Sequence, residues 1–213
     1  NEAKTVVYVG LDGKIIGLVA IQDVPKPSSK DAIKELKARG LMTVMLTGDN
    51  KRVAQAIADE VGIDRVIAEV MPNDKAQQIK ELQDKGKKVA FVGDGINDAP
   101  ALSTADVGIA MGSGTDIAID SGGIVLVRND LRGVVRALDI SKKTFNRIKL
   151  NLFWALIYNV IGIPIAAGLF AFVGFTLSPE LAGLAMAFSS VSVVSSSLLL
   201  NKTKIAGDHV VQA

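Results

Sequence analysis

The residues best suited to chemistry are the carboxylates of Phe91-Val92-Gly93-Asp94-Gly95-Ile96-Asn97-Asp98-Ala99-Pro100. The apolar run Val89 to Val92 reads as a buried parallel strand, because strands covered on both faces show no polar alternation. It ends in two glycines bracketing Asp94, then an Asn-Asp pair fit to begin a helix. Ligands of open α/β sheets bind beyond the carboxyl ends of strands. Carboxylates there, on a backbone tight enough to need Gly93 and Gly95, suit a Mg²⁺ ion that keeps most of its waters. Gly-Asp-Gly alone is an ordinary turn, and it is the longer string that makes Asp94 a metal-ligand candidate.

Two further groups sit at comparable positions. Thr47 and Gly48 close the apolar run Leu41 to Leu46 and offer a hydroxyl and an N–H to a phosphoryl oxygen. Lys75, three residues after Pro72 on an intervening helix, offers a fixed positive charge. Phosphoryl transfer is mostly positioning and charge neutralisation, so a hydroxyl, a lysine and a Mg²⁺ carboxylate are its expected parts. Each has a duller explanation. Thr47 can serve as a helix cap, Lys75 as a solvated lysine, and Asp98 as an acid favoured by a helix N-terminus. Their order, each beside a strand end, favours one phosphate site.

The elements that must position them read as follows. Residues 5–9 and 14–21 are β-type runs around Leu11-Asp12-Gly13, a hairpin that needs a sheet elsewhere to bury a core. Two prolines at Gln22-Asp23-Val24-Pro25-Lys26-Pro27 mark a connection or hinge. Ser28 or Ser29 then caps a helix to about Arg39, with Gly40 beyond it. Further helices are expected over Lys51 to Val61 and from Pro72 to about Asp84, and a short one from Thr115. Short strands are expected at Val66–Ala68, Val107–Ala110 and Gly123–Val127. This alternation predicts an α/β domain, a parallel sheet with helices on both faces.

From Leu131, with Asp130 as its cap, a basic helix runs into an apolar block. No charged residue occurs from Leu150 through Pro179, or from Leu181 through Asn201. Each block is long enough for the roughly 20 residues of a membrane-crossing helix. Two spans are expected, about Leu152–Phe175 and Leu181–Leu200, turning at Ser178-Pro179-Glu180. Lys142 to Lys149 before the pair, and Lys202 and Lys204 after it, put both ends in the cytoplasm. The spans hold no carboxylate. Their polar groups include Tyr158-Asn159, and Met186 with Ser189 and Ser190. Met186 and Ser190 share a helix face. A thioether with neutral oxygens suits a soft monovalent ion such as Cu⁺ better than Zn²⁺ or Ca²⁺. Met as packing, and Ser bonded to its own backbone, are the plain alternatives.

Composition adds bounds. The chain has 213 residues and a net charge of +2 spread along its length, which gives no argument for nucleic acid. It has no cysteine, which removes disulfides and thiolate metal sites. The one histidine, His209, is assigned nothing. No secretory signal opens the sequence, and its first residue, Asn1, suggests an excised or processed piece.

Thr47-Gly48-Asp49-Asn50, Pro72-x-x-Lys75 and Gly93-Asp94-Gly95-Ile96-Asn97-Asp98 resemble the phosphorylation domain of P-type ATPases, which has a haloacid-dehalogenase-like (Rossmann-like) fold. The resemblance implies that Thr47 and Gly48 contact the phosphoryl group, that Lys75 neutralises it, and that Asp94 binds Mg²⁺. It also implies that Asn97 and Asp98 complete the site, Asp98 as a second carboxylate near the metal. Asp23 matches an acidic residue at the family's interdomain hinge, and Asp23 and Asp49 are assigned to the bound ATP. Tyr158-Asn159 with Met186-x-x-Ser189-Ser190 resembles the last two membrane helices of Cu⁺-transporting members. Tyr158, Asn159, Met186 and Ser190 are by that likeness transport-site residues for Cu⁺, with Ag⁺ also accepted.

The implied layout is the end of a nucleotide-binding domain over 1–22 and a phosphorylation domain over 23–149. Two transmembrane helices over 150–201 and a cytoplasmic tail over 202–213 complete it. The implied partners are the actuator and nucleotide domains and other membrane helices of one pump, a lipid bilayer and a copper donor protein. The implied location is the cell membrane, with the phosphorylation domain cytoplasmic. The family's nucleophile lies in an Asp-Lys-Thr-Gly-Thr string and its Cys-Pro-Cys on an earlier helix, and this sequence contains neither. These residues alone are therefore expected to be inactive. A membrane-anchored phosphatase of the same fold, a non-catalytic Mg²⁺- or nucleotide-binding module and a divalent-metal pump remain alternatives.

Overall fold

The protein is seen in a computed structural model that describes residues 5–21, 24–94, 96–112, 116–174 and 178–202. The chain divides into two units, one up to Val135 and one from Arg136 onward.

The first unit opens with β1 (Thr5–Leu11) and β2 (Lys14–Ile21), an antiparallel hairpin. Asp12 and Gly13 both have positive φ, 50° and 75°, the pattern of the type I′ turn that matches strand twist. Among the described residues the hairpin pairs only with itself. Val7 and Tyr8, on opposite faces, are both exposed.

Strand and helix then alternate. The order is α1 (Pro27–Ala38), β3 (Val44–Leu46), α2 (Lys51–Val61), β4 (Arg65–Ile67), α3 (Lys75–Asp84), β5 (Ala90–Gly93), α4 (Ala99–Thr104), β6 (Val107–Met111), α5 (Asp116–Ser121) and β7 (Ile124–Leu126). One-turn 3₁₀ segments, Pro72–Asp74 and Ile96–Asp98, lead into α3 and α4. Neither expected serine caps α1. Lys26 is its N-cap, without a side-chain bond, and Pro27 takes the first helical position, where its fixed φ is already helical. The cap of α2 is Asn50, whose side chain accepts from the Val53 N–H at 3.0 Å.

The five parallel strands pair as β3–β4 and as β5–β6–β7, not as one continuous ladder. Among the described residues β3 and β5 each have a partner on one edge only. Both faces of the triplet are covered, as alternation along a strand requires. Ile109 and Met111 join Leu126 and Val134 in one buried cluster, with Leu36 of α1 packed on it. Ala110 packs with Leu102 of α4 and with Phe91 in another.

Each strand group is fastened at its amino end by an aspartate. Asp64 takes hydrogen bonds on Oδ2 from the N–H and hydroxyl of Thr43, both at 2.9 Å, and Lys37 lies 2.6 Å from Oδ1. Asp106 accepts from the Val89 N–H at 3.0 Å, from Gln83 at 3.1 Å and from Lys88 at 2.7 Å. The Lys37 hydrogen bond, and then those of Thr43, push the Asp64 carboxyl down to about 2. Lys88, then Val89 and Gln83, hold the Asp106 carboxyl far below the usual carboxylate range.

The helix α6 (Arg132–Ala166) is continuous over 35 residues, and Asp130 accepts from the Arg132 N–H at its start. It stops short of the expected Phe175. Pro164 contributes no N–H near its end, and Gly168 takes a left-handed φ of 91°. The helix α7 (Pro179–Leu198) starts at Ser178, whose side chain accepts from the Leu181 N–H. Both helices are long and apolar enough to cross a membrane. The most apolar stretch of α6 has no buried residue and that of α7 almost none, unlike the core helix of a soluble fold. Among the described residues, side-chain bonds tie α6 to α7. Arg147 donates to Ser196 at 3.2 Å, Asn151 donates to Ser197 at 2.8 Å, and the Tyr158 and Ser192 hydroxyls lie 3.2 Å apart.

Candidate functional site

At the carboxyl end of β5 the chain turns directly from Gly93 into Asp94 and on to the Ile96–Asp98 turn. The turn brings Asp98 back against Gly93, where any Cβ would lie 2.8 Å from that of Asp98. Glycine is required here by that approach. Asp98 is buried, 7 % exposed, and one of its oxygens accepts from the Lys75 ammonium at 2.7 Å. Its other oxygen accepts from the Asp94 N–H at 3.3 Å. Asp98 thus ties the lysine at the start of α3 to the aspartate at the end of β5.

The Asp94 side chain is exposed and its carboxylate takes no hydrogen bond or ion pair from the described residues. It lines a cleft of ≈ 290 Å³ with Lys26, Ser29, Gly93 and Asn129. A free carboxylate on open space fits Mg²⁺, which binds through one or two carboxylates and keeps waters or takes phosphate oxygens. Asp98 fits less well as a direct ligand, since both its oxygens already hold protein donors.

Thr47 and Asp49 form a second, separate arrangement. The Thr47 hydroxyl donates to Asp49 Oδ2 at 2.8 Å and accepts from the Asp49 N–H at 3.1 Å. The loop is laced to the segment after β4, because the Val70 N–H donates to Thr47 O and the Glu69 N–H to Asp49 O. Gly48 lies against Val70 O, 3.4 Å from where a Cβ would be. Asn97 is exposed on its turn. Asp23, Gly95 and His209 lie outside the described residues. Lys75, Asp94 and Asp98 are therefore one bonded set, and Thr47, Gly48 and Asp49 another.

On the helix pair, Tyr158 is half-buried against Ser192, whereas Asn159, Met186 and Ser190 are exposed. Asn159 donates to Ala155 O at 3.2 Å, and Ser190 donates to Met186 O at 3.3 Å. Met186 is 71 % exposed.

A family model described as haloacid dehalogenase-like hydrolase matches residues 1–106. A probable copper-exporting P-type ATPase of Archaeoglobus fulgidus is 58% identical over 94% of this chain and 25% of its own. The copper-exporting P-type ATPase of Bacillus subtilis is 54% identical over 95% of this chain and 25% of its own.

The chain is similar over 94% of its length to one part of a P-type ATPase.

It spans about a quarter of the length of these two curated relatives. Copper-transporting ATPase 1 of Mus musculus is also similar, 53% identical over 94% of the chain and 13% of its own length. Among solved structures, a zinc-transporting PIB-type ATPase in the E2.Pi state matches with a TM-score of 0.79 and 38% identity. That match covers 93% of this chain and 32% of that one. The chain therefore carries a haloacid-dehalogenase-like fold and two membrane-length helices. Sequence reasoning missed Lys26, Ser29 and Asn129 beside Asp94. The prolines flanking Lys26 marked only a hinge, and nothing local to Asn129 signals that it reaches β5.

Proposed function

We propose that the chain is part of an ATP-driven Cu⁺ pump, with Ag⁺ as a second soft substrate. The observation that carries this reading is the bonded set Lys75–Asp98–Asp94 at the carboxyl end of a parallel strand. Asp94 would hold a Mg²⁺ ion, whose charge would offset that of the phosphoryl group. Lys75, oriented by Asp98, holds a second positive charge toward the same group. Thr47 and Gly48 offer it a hydroxyl and an N–H, and Asn97 completes the polar wall. Asp49 and Asp23 serve the nucleotide.

A strand bearing the Asp-Lys-Thr-Gly-Thr nucleophile suits the free edges of β3 and β5. These 213 residues contain no such string, and alone they neither form the aspartyl phosphate nor hydrolyse ATP. In the working pump they act with an actuator domain, a nucleotide domain and further membrane helices in the cell membrane, the phosphorylation domain being cytoplasmic. A copper donor protein delivers the ion.

Copper is favoured over zinc by the helix pair. Asn159, Met186 and Ser190 are uncharged and face outward, where lipid satisfies no polar group and further helices of the pump would cover them. A thioether and neutral oxygens match a soft monovalent ion. Full-length pump carrying Met186→Ala or Asn159→Ala should lose Cu⁺-stimulated ATPase activity by more than about tenfold, the lower range for a partner one shell further out. Wild-type Cu⁺ stoichiometry and stimulation in both variants would remove copper as the substrate.

A further inference from the structure

Successive residues of an α-helix lie about 100° apart around its axis. On α6 this gathers Arg147, Asn151 and Tyr158 within about 40° of one another, and they are the residues bonded to α7. It gathers Lys142, Phe145, Lys149 and Phe153 into a second stripe, within about 80°. The centre of that stripe lies about 180° from the first group, so it faces away from α7. Asn159 falls between the two, about 90° from each. All four residues of the stripe are exposed.

Lysine and phenylalanine alternate along the stripe where charge gives way to an apolar run. Lys149 is the last charged residue before Glu180. Its ammonium lies 4.6 Å from the centre of the Phe145 ring, one turn towards the amino end. That contact turns the charge back from the apolar run, as a lysine at a membrane boundary requires. Phe153 and Trp154, one turn further on, pack edge to face at 5.5 Å and are both exposed. An exposed tryptophan beside a basic turn is the composition of a bilayer–water interface.

The charge of the stripe is not balanced by the chain. Among the described residues neither Lys142 nor Lys149 meets a carboxylate, and Asp139, a turn before Lys142, is already engaged. No Asp or Glu occurs between Lys142 and Glu180. The seven-residue rise from Lys142 to Lys149 is about 10 Å, enough to cross the headgroup layer of one leaflet.

We propose that this stripe binds an anionic phospholipid of the cytoplasmic leaflet. Lys149, held by Phe145, and Lys142 take the negative headgroup, and Phe153 lies against the acyl chains. A lipid fits better than an acidic protein, because the apolar part of the stripe continues into the span, where a water-soluble partner does not follow. The inference rests on the membrane reading of the helix pair and is independent of which ion the pump carries.

The test uses full-length pump in phosphatidylcholine vesicles with phosphatidylglycerol as a minor component. A photoactivatable analogue of one lipid or the other, at equal loading, is mapped by mass spectrometry onto α6 and α7. The phosphatidylglycerol analogue should label residues 142–154 more than about tenfold above the phosphatidylcholine analogue, the combined weight of two lysines near an anionic surface. Lys142→Gln and Lys149→Gln should each lower that preference about fivefold. Phe145→Leu should lower it about twofold, and Lys142→Arg and Lys149→Arg should keep it. Equal labelling by the two analogues, no label on the stripe, or a preference that survives both glutamine variants would overturn the proposal alone. Label from neither analogue anywhere on α6 and α7 would overturn the membrane reading with it.

Discussion

Both ends of the β5–β6–β7 sheet carry a lysine–aspartate pair with the same 2.7 Å separation, and the two pairs are built for different ends. At the amino end Lys88 is 90 % exposed, and Asp106 also takes the Val89 N–H just before β5. At the carboxyl end the Lys75 and Asp98 side chains are only 19 % and 11 % exposed, and the pair is wired to Asp94, whose own carboxylate is left open. Burying two charges costs desolvation that their attraction scarcely offsets. A fold that needed only a staple has a less costly form of it at the opposite edge. Retaining the buried pair makes sense where a fixed, oriented positive charge is wanted for a ligand.

Removing one member of each pair tests this contrast, and the largest effect belongs to the carboxyl end. Asp98→Ala strands the Lys75 ammonium in a buried place and should cost about 3–5 kcal/mol of local stability. Faster amide exchange in β5 and α3 reads that loss, and phosphoryl chemistry should fail with it. Wild-type exchange in this variant would mean that the pair is not structurally coupled.

The smaller effect belongs to the amino end. Asp106→Ala should lower the thermal midpoint by a few degrees and leave ATP turnover of the full pump unchanged, which separates staple from site. The pH dependence follows from the same groups. The Asp64 carboxyl is pushed down to about 2 in the fold, below its ordinary unfolded value near ~3.9. A depressed carboxyl stabilises the fold fully above the unfolded value, and that contribution is lost as pH falls through the folded one. Circular dichroism between about pH 4 and pH 2 should show this loss, and Asp64→Asn should remove its part of the slope. A pH-independent signal across that window contradicts the staple reading.

Legibility in the sequence divides along the same line. The carboxyl-end residues were visible because glycine and aspartate at a strand end leave a local signature. The hairpin turn at Asp12-Gly13 and the stop of α1 at Gly40 are legible for the same reason, since both need positive φ. The staples were not, because Asp64 and Asp106 act on residues 21 and 17 positions away, and pairing at that range has no local pattern. The start of α1 is not legible from its two serines, because the ring of Pro27 already sets the first helical φ and Lys26 takes the cap position. The break of the sheet between β3 and β5 was invisible, because strand–helix alternation specifies parallel strands without specifying which of them touch.

In the proposed pump, transport through the helix pair depends on the open carboxylate of Asp94. ATP-dependent copper accumulation in sealed inverted vesicles of full-length pump carrying Asp94→Asn measures it directly. The account predicts a fall of about 10²–10³, the usual weight of one preorganised electrostatic partner, with Cu⁺ binding retained. Accumulation at the wild-type rate would contradict it.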